Sequence, residues 1–414
     1  MTGGLDPGTT GDPIAAGGGV NRRAATVAIV LIGVAILPAF MTGALAVQIG
    51  QDVGLNLTNL GGLYAVLFGT SSVLSTPTGR MVQRWGWPTG IRISALATGI
   101  TLAAMASLPG SWWSRWWPIA FLFALGGAAS AMAQAASNLA LARSVPMRRY
   151  GLVFGLKHTA VPVAAMLGGL AVPTIGLTIG WRWAYATAAA LAGAILISAP
   201  SDPAGGSRVA FRRPREPHRL RTQTPTPALA ALAAAAALGH TGADALGAFV
   251  VPYAVSVGIA EGPAGLVLTV GSAAGLVVRL VSGWLIDRRQ SAGLAWLGGL
   301  LLAGAAGIAV IAAGGRGWLV AGSLLAFGAG WGWAGLLSFA VVRANPESAA
   351  LASGVTNTGK YIGAGGGPLL FGYLADNTSF ATAWWVVGGA MALGSLVVAL
   401  LRRTAGGRTM ADGA

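Results

Sequence analysis

The chain has 414 residues, 55% of them hydrophobic and only 9% charged, with a mean hydropathy of +0.69. So few charges cannot clothe a surface that stays in water, so a water-soluble globular protein is excluded and the bilayer is the expected solvent. The absence of cysteine excludes disulfides, thiolate metal sites and cysteine nucleophiles. A formal charge of +15 would suit a nucleic-acid binder in a soluble protein. Here the placement of that charge decides.

Residues 1–23 begin with a Gly-, Thr- and Asp-rich stretch that lacks an apolar run, and they read as a disordered tail, not a signal peptide. Twelve apolar runs follow, each near the roughly 20 residues needed to cross a hydrocarbon core about 30 Å thick. They cover 24–49, 57–79, 89–109, 115–142, 150–173, 179–200, 227–254, 262–286, 292–313, 317–342, 349–375 and 381–401. None alternates with period two, so they are predicted helices and not barrel strands. The first six form an N-terminal bundle over 24–200 and the last six a C-terminal bundle over 227–401. Between them lies a Pro- and Arg-rich linker, 201–226, and residues 402–414 form a tail. The 65 glycines suit helices that associate in lipid by close packing of small residues.

An even number of spans puts both chain ends on one side. Of 24 arginines, twenty fall on that side, and only Arg115, Arg182 and Arg316 fall opposite. By the positive-inside rule both ends are expected in the cytoplasm, with the protein in the inner membrane. The charge is then topological, and nucleic acid is not an expected partner.

Residues 79–84, Gly-Arg-Met-Val-Gln-Arg, return in altered form at 283–288 as Gly-Trp-Leu-Ile-Asp-Arg. Two further matches have a similar offset: Arg143-Ser-Val-Pro146 with Arg343-Ala-Asn-Pro346, and Gly155-Leu-Lys-His-Thr159 with Gly354-Val-Thr-Asn-Thr358. Such repetition marks a duplicated unit, with function expected between the halves.

On these motifs the chain resembles the major facilitator superfamily, whose loop between spans 2 and 3 carries a G-x-L-x-D-R-x-G-R-R type sequence. The resemblance implies an all-α membrane protein with twelve transmembrane helices in two pseudo-symmetric six-helix bundles, working as a secondary transporter by alternating access. In the two motif copies Gly79, Gln83, Arg84, Gly283, Asp287 and Arg288 are candidate conformational latch residues. Physically the motif reads as a tight helix end followed by a carboxylate and a guanidinium that pair across the halves. The plainer reading makes Arg84 and Arg288 positive-inside anchors. Gln83 stands where the family usually has Asp, and it cannot hold a charge. Pro162-Val-Ala-Ala-Met-Leu-Gly-Gly169 departs from the G-P-x-x-G-G of proton-driven drug exporters. Gly180-Trp-Arg-Trp183 and the run from Gly155 to Pro162 are similar to bacterial cyanate-type and organic-anion permeases.

The two lysines of the chain, Lys157 and Lys360, both lie inside apolar runs, where an ionisable group is costly and by default functional. Asp244 lies near the middle of span 7 with His240 one helical turn earlier, a candidate proton-coupling pair. The other reading of Asp244 is a static salt bridge to Lys360. Arg279 lies four residues before Gly283. The resemblance to monocarboxylate and oxalate-type carriers implies that Arg279 and Lys360 bind a carboxylate through a bidentate fork; the plainer reading is an arginine that reaches the interface. His158, Gln134, Asn138, Asn357 and Trp331 are candidate substrate-lining residues, or equally interhelical glue and packing.

No G-x-x-x-x-G-K-[ST], H-E-x-x-H or G-x-S-x-G sequence is present, so neither ATP-driven pumping nor a membrane-embedded enzyme is expected, and no cofactor or metal is called for. The expected activity is transport of a small solute, favouring a small anion with protons as the coupled partner, by a monomer in a lipid bilayer. The alternative is proton-driven efflux of drug-like amphiphilic compounds.

Overall fold

A computed structural model describes residues 22–144, 156–199, 224–289, 293–345 and 348–403. The expected N-terminal tail up to residue 21, the linker up to residue 223 and the tail from residue 404 lie outside the described residues.

Twelve long helices run through the described residues, and no strand occurs among them. They are α1 (Arg22–Ala44), α2 (Leu57–Trp85), α3 (Trp87–Ser107), α4 (Trp116–Ser144), α5 (Leu156–Gly176) and α6 (Trp181–Ser198). The second set is α7 (Thr226–Ser256), α8 (Glu261–Arg289), α9 (Leu294–Ala312), α10 (Arg316–Ala344), α11 (Ala349–Asn377) and α12 (Phe380–Arg403). Ten of the twelve are long and apolar enough by themselves to cross a membrane; α6 and α11 are the exceptions. The first turn of α6 is Trp181, Arg182 and Trp183, residues of the interface and not of the hydrocarbon. The length of α11 is ample, but its first half carries Thr356, Asn357, Thr358 and Lys360.

Exposed tryptophans ring both ends of the helices. Trp85, Trp284 and Trp296 lie at the end where α1 begins and α12 finishes, here the near side. Trp112, Trp117, Trp183, Trp318 and Trp385 lie at the other end, the far side. Two belts of amphipathic rings at the ends of apolar helices are the pattern that headgroup layers select.

The turns have local causes. Asn56 caps α2 by accepting the Asn59 N–H on its side-chain oxygen at 2.7 Å. Gly86, with φ of +84°, ends α2 and starts α3, and Pro88 follows in the first turn. The helix end therefore falls at Gly86, which corrects the expectation that the motif glycine forms it. Gly79 and Gly283 each lie inside their helix, six residues before its last residue, and a Cβ at either position would meet open space.

Helices α1–α6 pack together as one bundle and α7–α12 as the other, and the bundles meet through α2 on α11, α5 on α8 and α1 on α7. Under the duplication α2 corresponds to α8 and α5 to α11, so the first two contacts are one contact repeated. Both are antiparallel and both rest on glycine. A Cβ on Gly61 would collide with the Pro368 carbonyl, one on Gly372 with the Leu57 carbonyl, and one on Gly169 with the Gly265 carbonyl. Helices in lipid gain little from burying apolar surface against each other, so backbone approach at small residues is how they adhere.

These contacts share the far side. There Thr58 donates its backbone N–H and its hydroxyl to Asp376, both at 2.7 Å, and the Thr269 hydroxyl donates to the Met166 carbonyl at 3.3 Å. Toward the near side Gly79 on α2 and Gly354 on α11 have no neighbour within reach of a Cβ, and Asn357 and Thr358 are exposed. Among the described residues the bundles are closed on the far side and part toward the near side.

Replacement of Gly61 by Leu is therefore expected to wedge α2 from α11 and loosen the far-side closure. Since the chain has no cysteine, a single Ala65→Cys reporter on the same contact reads this directly. Its labelling by a membrane-impermeant thiol reagent should rise in Gly61→Leu, and unchanged labelling would contradict the wedge.

Candidate functional site

Polar side chains converge at the point where the closed far side gives way to the open near side. From α5, Lys157 is buried and donates to the side-chain oxygen of Asn138 on α4. From α8, Arg279 crosses to the other bundle and donates through Nη1 to the backbone carbonyl of His158. Its Nη2 donates to the Trp331 carbonyl of α10 at 2.6 Å, and its Nε is buried without an acceptor. From α11, Lys360 lies within the fields of Asp244, Arg279 and Lys157. Its ammonium stands 5.6 Å from the Tyr361 ring centre and makes no hydrogen bond to a described residue.

On α7, His240 Nδ1 and an Asp244 carboxylate oxygen lie 2.7 Å apart, one helical turn from each other. The imidazole packs against Trp333, ring centres 5.0 Å apart at 66°. Asp244 therefore pairs with His240, and the static salt bridge from Asp244 to Lys360 does not form. Helix register is the reason. A Cβ on Gly359, Gly363 or Gly367 of α11 would collide with Ala233, Ala237 or Thr241 of α7, in steps of four residues on both helices. The helices run parallel in this constant register, which sets Lys360 beside position 234. Asp244 is ten residues farther along α7, about 15 Å of helix rise.

Arg279 does not reach the near-side interface, as its plainer reading had it. Its terminal nitrogens are engaged by two main-chain carbonyls, and neither Arg279 nor Lys360 meets a described carboxylate at ion-pair distance. Trp331 is buried, donates its indole N–H to the Ala243 carbonyl at 2.8 Å and packs against Phe40 and Phe327. Its ring serves packing, and its carbonyl is the part that meets the cluster. Gln134 lies half-buried on α4, one turn before Asn138, and Asn357 is exposed on α11, one turn before Lys360. Gln83 and Arg84 are exposed at the near-side end of α2 and bond to no described residue. The side chains of Asp287 and Arg288 lie outside the described residues, so the latch shows no partner among those described.

Arg279 and Lys360 thus share the field of Asp244, which already has an imidazole partner, and Lys157 lies within the field of Lys360. A basic group inside a membrane-spanning helix costs up to about 3 kcal/mol on insertion scales, so these side chains mark a candidate site. Sequence reasoning missed Tyr64, fully buried on α2 within the field of Asp244, with its hydroxyl donating to the Ala39 carbonyl at 2.9 Å. It also missed the role of the His158 backbone. The signal for the latter was Pro162, which has no N–H to give to the carbonyl four residues before it.

Residues 27–368 match the profile of the Major Facilitator Superfamily. The fold is similar to that of the nucleoside transporter NupG, with a TM-score of 0.72 and 12% identity over 92% of this chain and all of that one. It is similar in the same way to a D-xylose–proton symporter, with a TM-score of 0.73 and 14% identity over 92% of this chain and 97% of that one. At such identities the likeness is one of fold. No curated relative is detected. The profile runs from the first helix into the eleventh, and on that match the chain belongs to the major facilitator superfamily: it is a multi-pass membrane transporter and not an enzyme.

Proposed function

We propose that the protein carries a small anion, bound between the bundles by Lys360 and Arg279 with Lys157 and Asn138 on the facing wall, by alternating access in the cytoplasmic membrane. The observation that carries this reading is that Arg279 and Lys360 lie within one another's field and neither meets a described carboxylate at ion-pair distance, while Asp244 is hydrogen-bonded to His240. A carboxylate or cyanate-like anion would balance that charge and accept from both Lys360 and the guanidinium. The near side, which holds most of the arginines, faces the cytoplasm in this reading, so the described conformation is open inward.

Asp244 and His240 supply the proton step. A carboxylate in hydrogen-bond contact with an imidazole can share one proton, and a cation or anion arriving nearby changes which protonation state is favoured. Movement of substrate charge into the cluster and movement of a proton onto the pair are then linked through one field.

Counterflow in liposomes, screening small carboxylates and cyanate, tests the site. For whichever anion is carried, Lys360→Gln and Arg279→Gln should each slow exchange by about tenfold or more, as a charge-assisted hydrogen bond contributes roughly 1.5–3 kcal/mol. Wild-type rates in both variants would refute the site. A separate experiment addresses the proton. Asp244→Asn should still exchange the anion across the membrane but lose the extra accumulation driven by an imposed pH gradient; if the gradient drives the variant as it drives the wild type, Asp244 carries no coupled proton.

A further inference from the structure

The carbonyl that receives Arg279 is not an ordinary helix carbonyl. In α5 the N–H that would close the turn onto His158 belongs to residue 162, and residue 162 is proline. The flanking groups are occupied: Thr159 donates its N–H to Leu156 at 3.1 Å, and Val163 donates its N–H to Thr159 at 3.1 Å. The His158 carbonyl is thus left without a helical partner at the edge of the opening, and a guanidinium from the other bundle takes its place. The contact is also the innermost rung of the α5–α8 seam. From it the seam runs outward through Thr269 on Met166 to Gly265 on Gly169 and Gly262 beside Pro173. Through Trp331, whose carbonyl accepts Arg279 and whose indole donates to Ala243, the same guanidinium is tied to α10 and α7, next to Asp244.

We propose that Arg279 is a clamp that closes the far side by holding the carbonyl freed by Pro162, and that an anion entering from the near side opens the clamp by drawing the guanidinium onto itself. Arg279 has a buried Nε–H without an acceptor, so it gains a bond by turning to an anion beside Lys360. Once released, the His158 carbonyl has no acceptor role left inside α5 and is satisfied only by water, which reaches it when α5 and α8 separate. Binding on one side then favours opening on the other. This proposal rests on the anion reading for the trigger, but not for the clamp, which exists without any ligand.

Spin labels on Thr178→Cys and Ala313→Cys, exposed at the far-side ends of the two bundles, report the closure by double electron–electron resonance in the otherwise cysteine-free protein. Without ligand, Arg279→Gln should move the distance distribution to longer values. Pro162→Ala, which restores the N–H, should move it the same way, and the double variant should go no farther than either alone. Thermal unfolding of each variant in detergent verifies that it is folded. If Arg279→Gln leaves the distribution unchanged, the clamp is refuted; if Arg279→Gln shifts it and Pro162→Ala does not, the freed carbonyl is not what Arg279 holds. Acetate added to the unsubstituted bundle pair should lengthen the distance and have no further effect in Arg279→Gln. A shift in the variants with none from acetate would uphold the clamp and overturn its release by a carboxylate, separately from whatever anion the counterflow screen finds.

Discussion

The close contact of α11 with two helices at once is the constraint on which the rest depends. On one side Gly359, Gly363 and Gly367 let it lie backbone to backbone against α7, and on the other Gly365 and Gly372 let it lie against α2. In water such a helix would be held by its apolar face; in lipid it is held by the atoms that glycine allows to touch. The α7 contact sets the height of Lys360 relative to Asp244. The α2 contact, locked by Asp376 on Thr58, seals the far side. One helix therefore fixes both the electrostatics of the centre and the state of the gate.

The centre is a place where basic side chains are brought together without a described carboxylate at ion-pair distance from Arg279 or Lys360. Arg279 gives two of its nitrogens to backbone carbonyls, Lys157 donates to Asn138, and the Lys360 ammonium stands over the Tyr361 ring. At the far-side surface, by contrast, Arg182 meets Asp52 at 2.8 Å and stacks on Trp181. The surrounding packing is supplied by the Trp331, Phe40 and Phe327 cluster and by the glycine seams.

Several residues were visible as candidates because they break the rule of their segment. Lys157, Lys360, Asp244 and Arg279 are charges in apolar runs, and that is readable one residue at a time. Their partners were not readable. Asp244 faced a choice between His240 and Lys360, and the choice fell to His240, because a constant register between α7 and α11 carries Lys360 about two to three turns away. For Trp331, readable as either substrate wall or packing, the fold packs the ring against Phe40 and Phe327 and turns the carbonyl to Arg279. Pro162 was seen as part of a departure from an exporter motif, whereas its physical effect is to free a carbonyl for an arginine 121 residues from His158.

Run length, hydropathy, arginine placement and the repeated motif are properties of single segments, so they suffice for twelve helices, two bundles, a bilayer and the superfamily. They also mark the charged residues that fall inside apolar runs. Which ions meet, which side is closed and what holds it closed were decided only by the folded chain. The reason is that helix register in lipid is set by a few glycine–carbonyl contacts between segments far apart in the chain, and a shift of one turn would have exchanged their partners while leaving each segment's own pattern untouched.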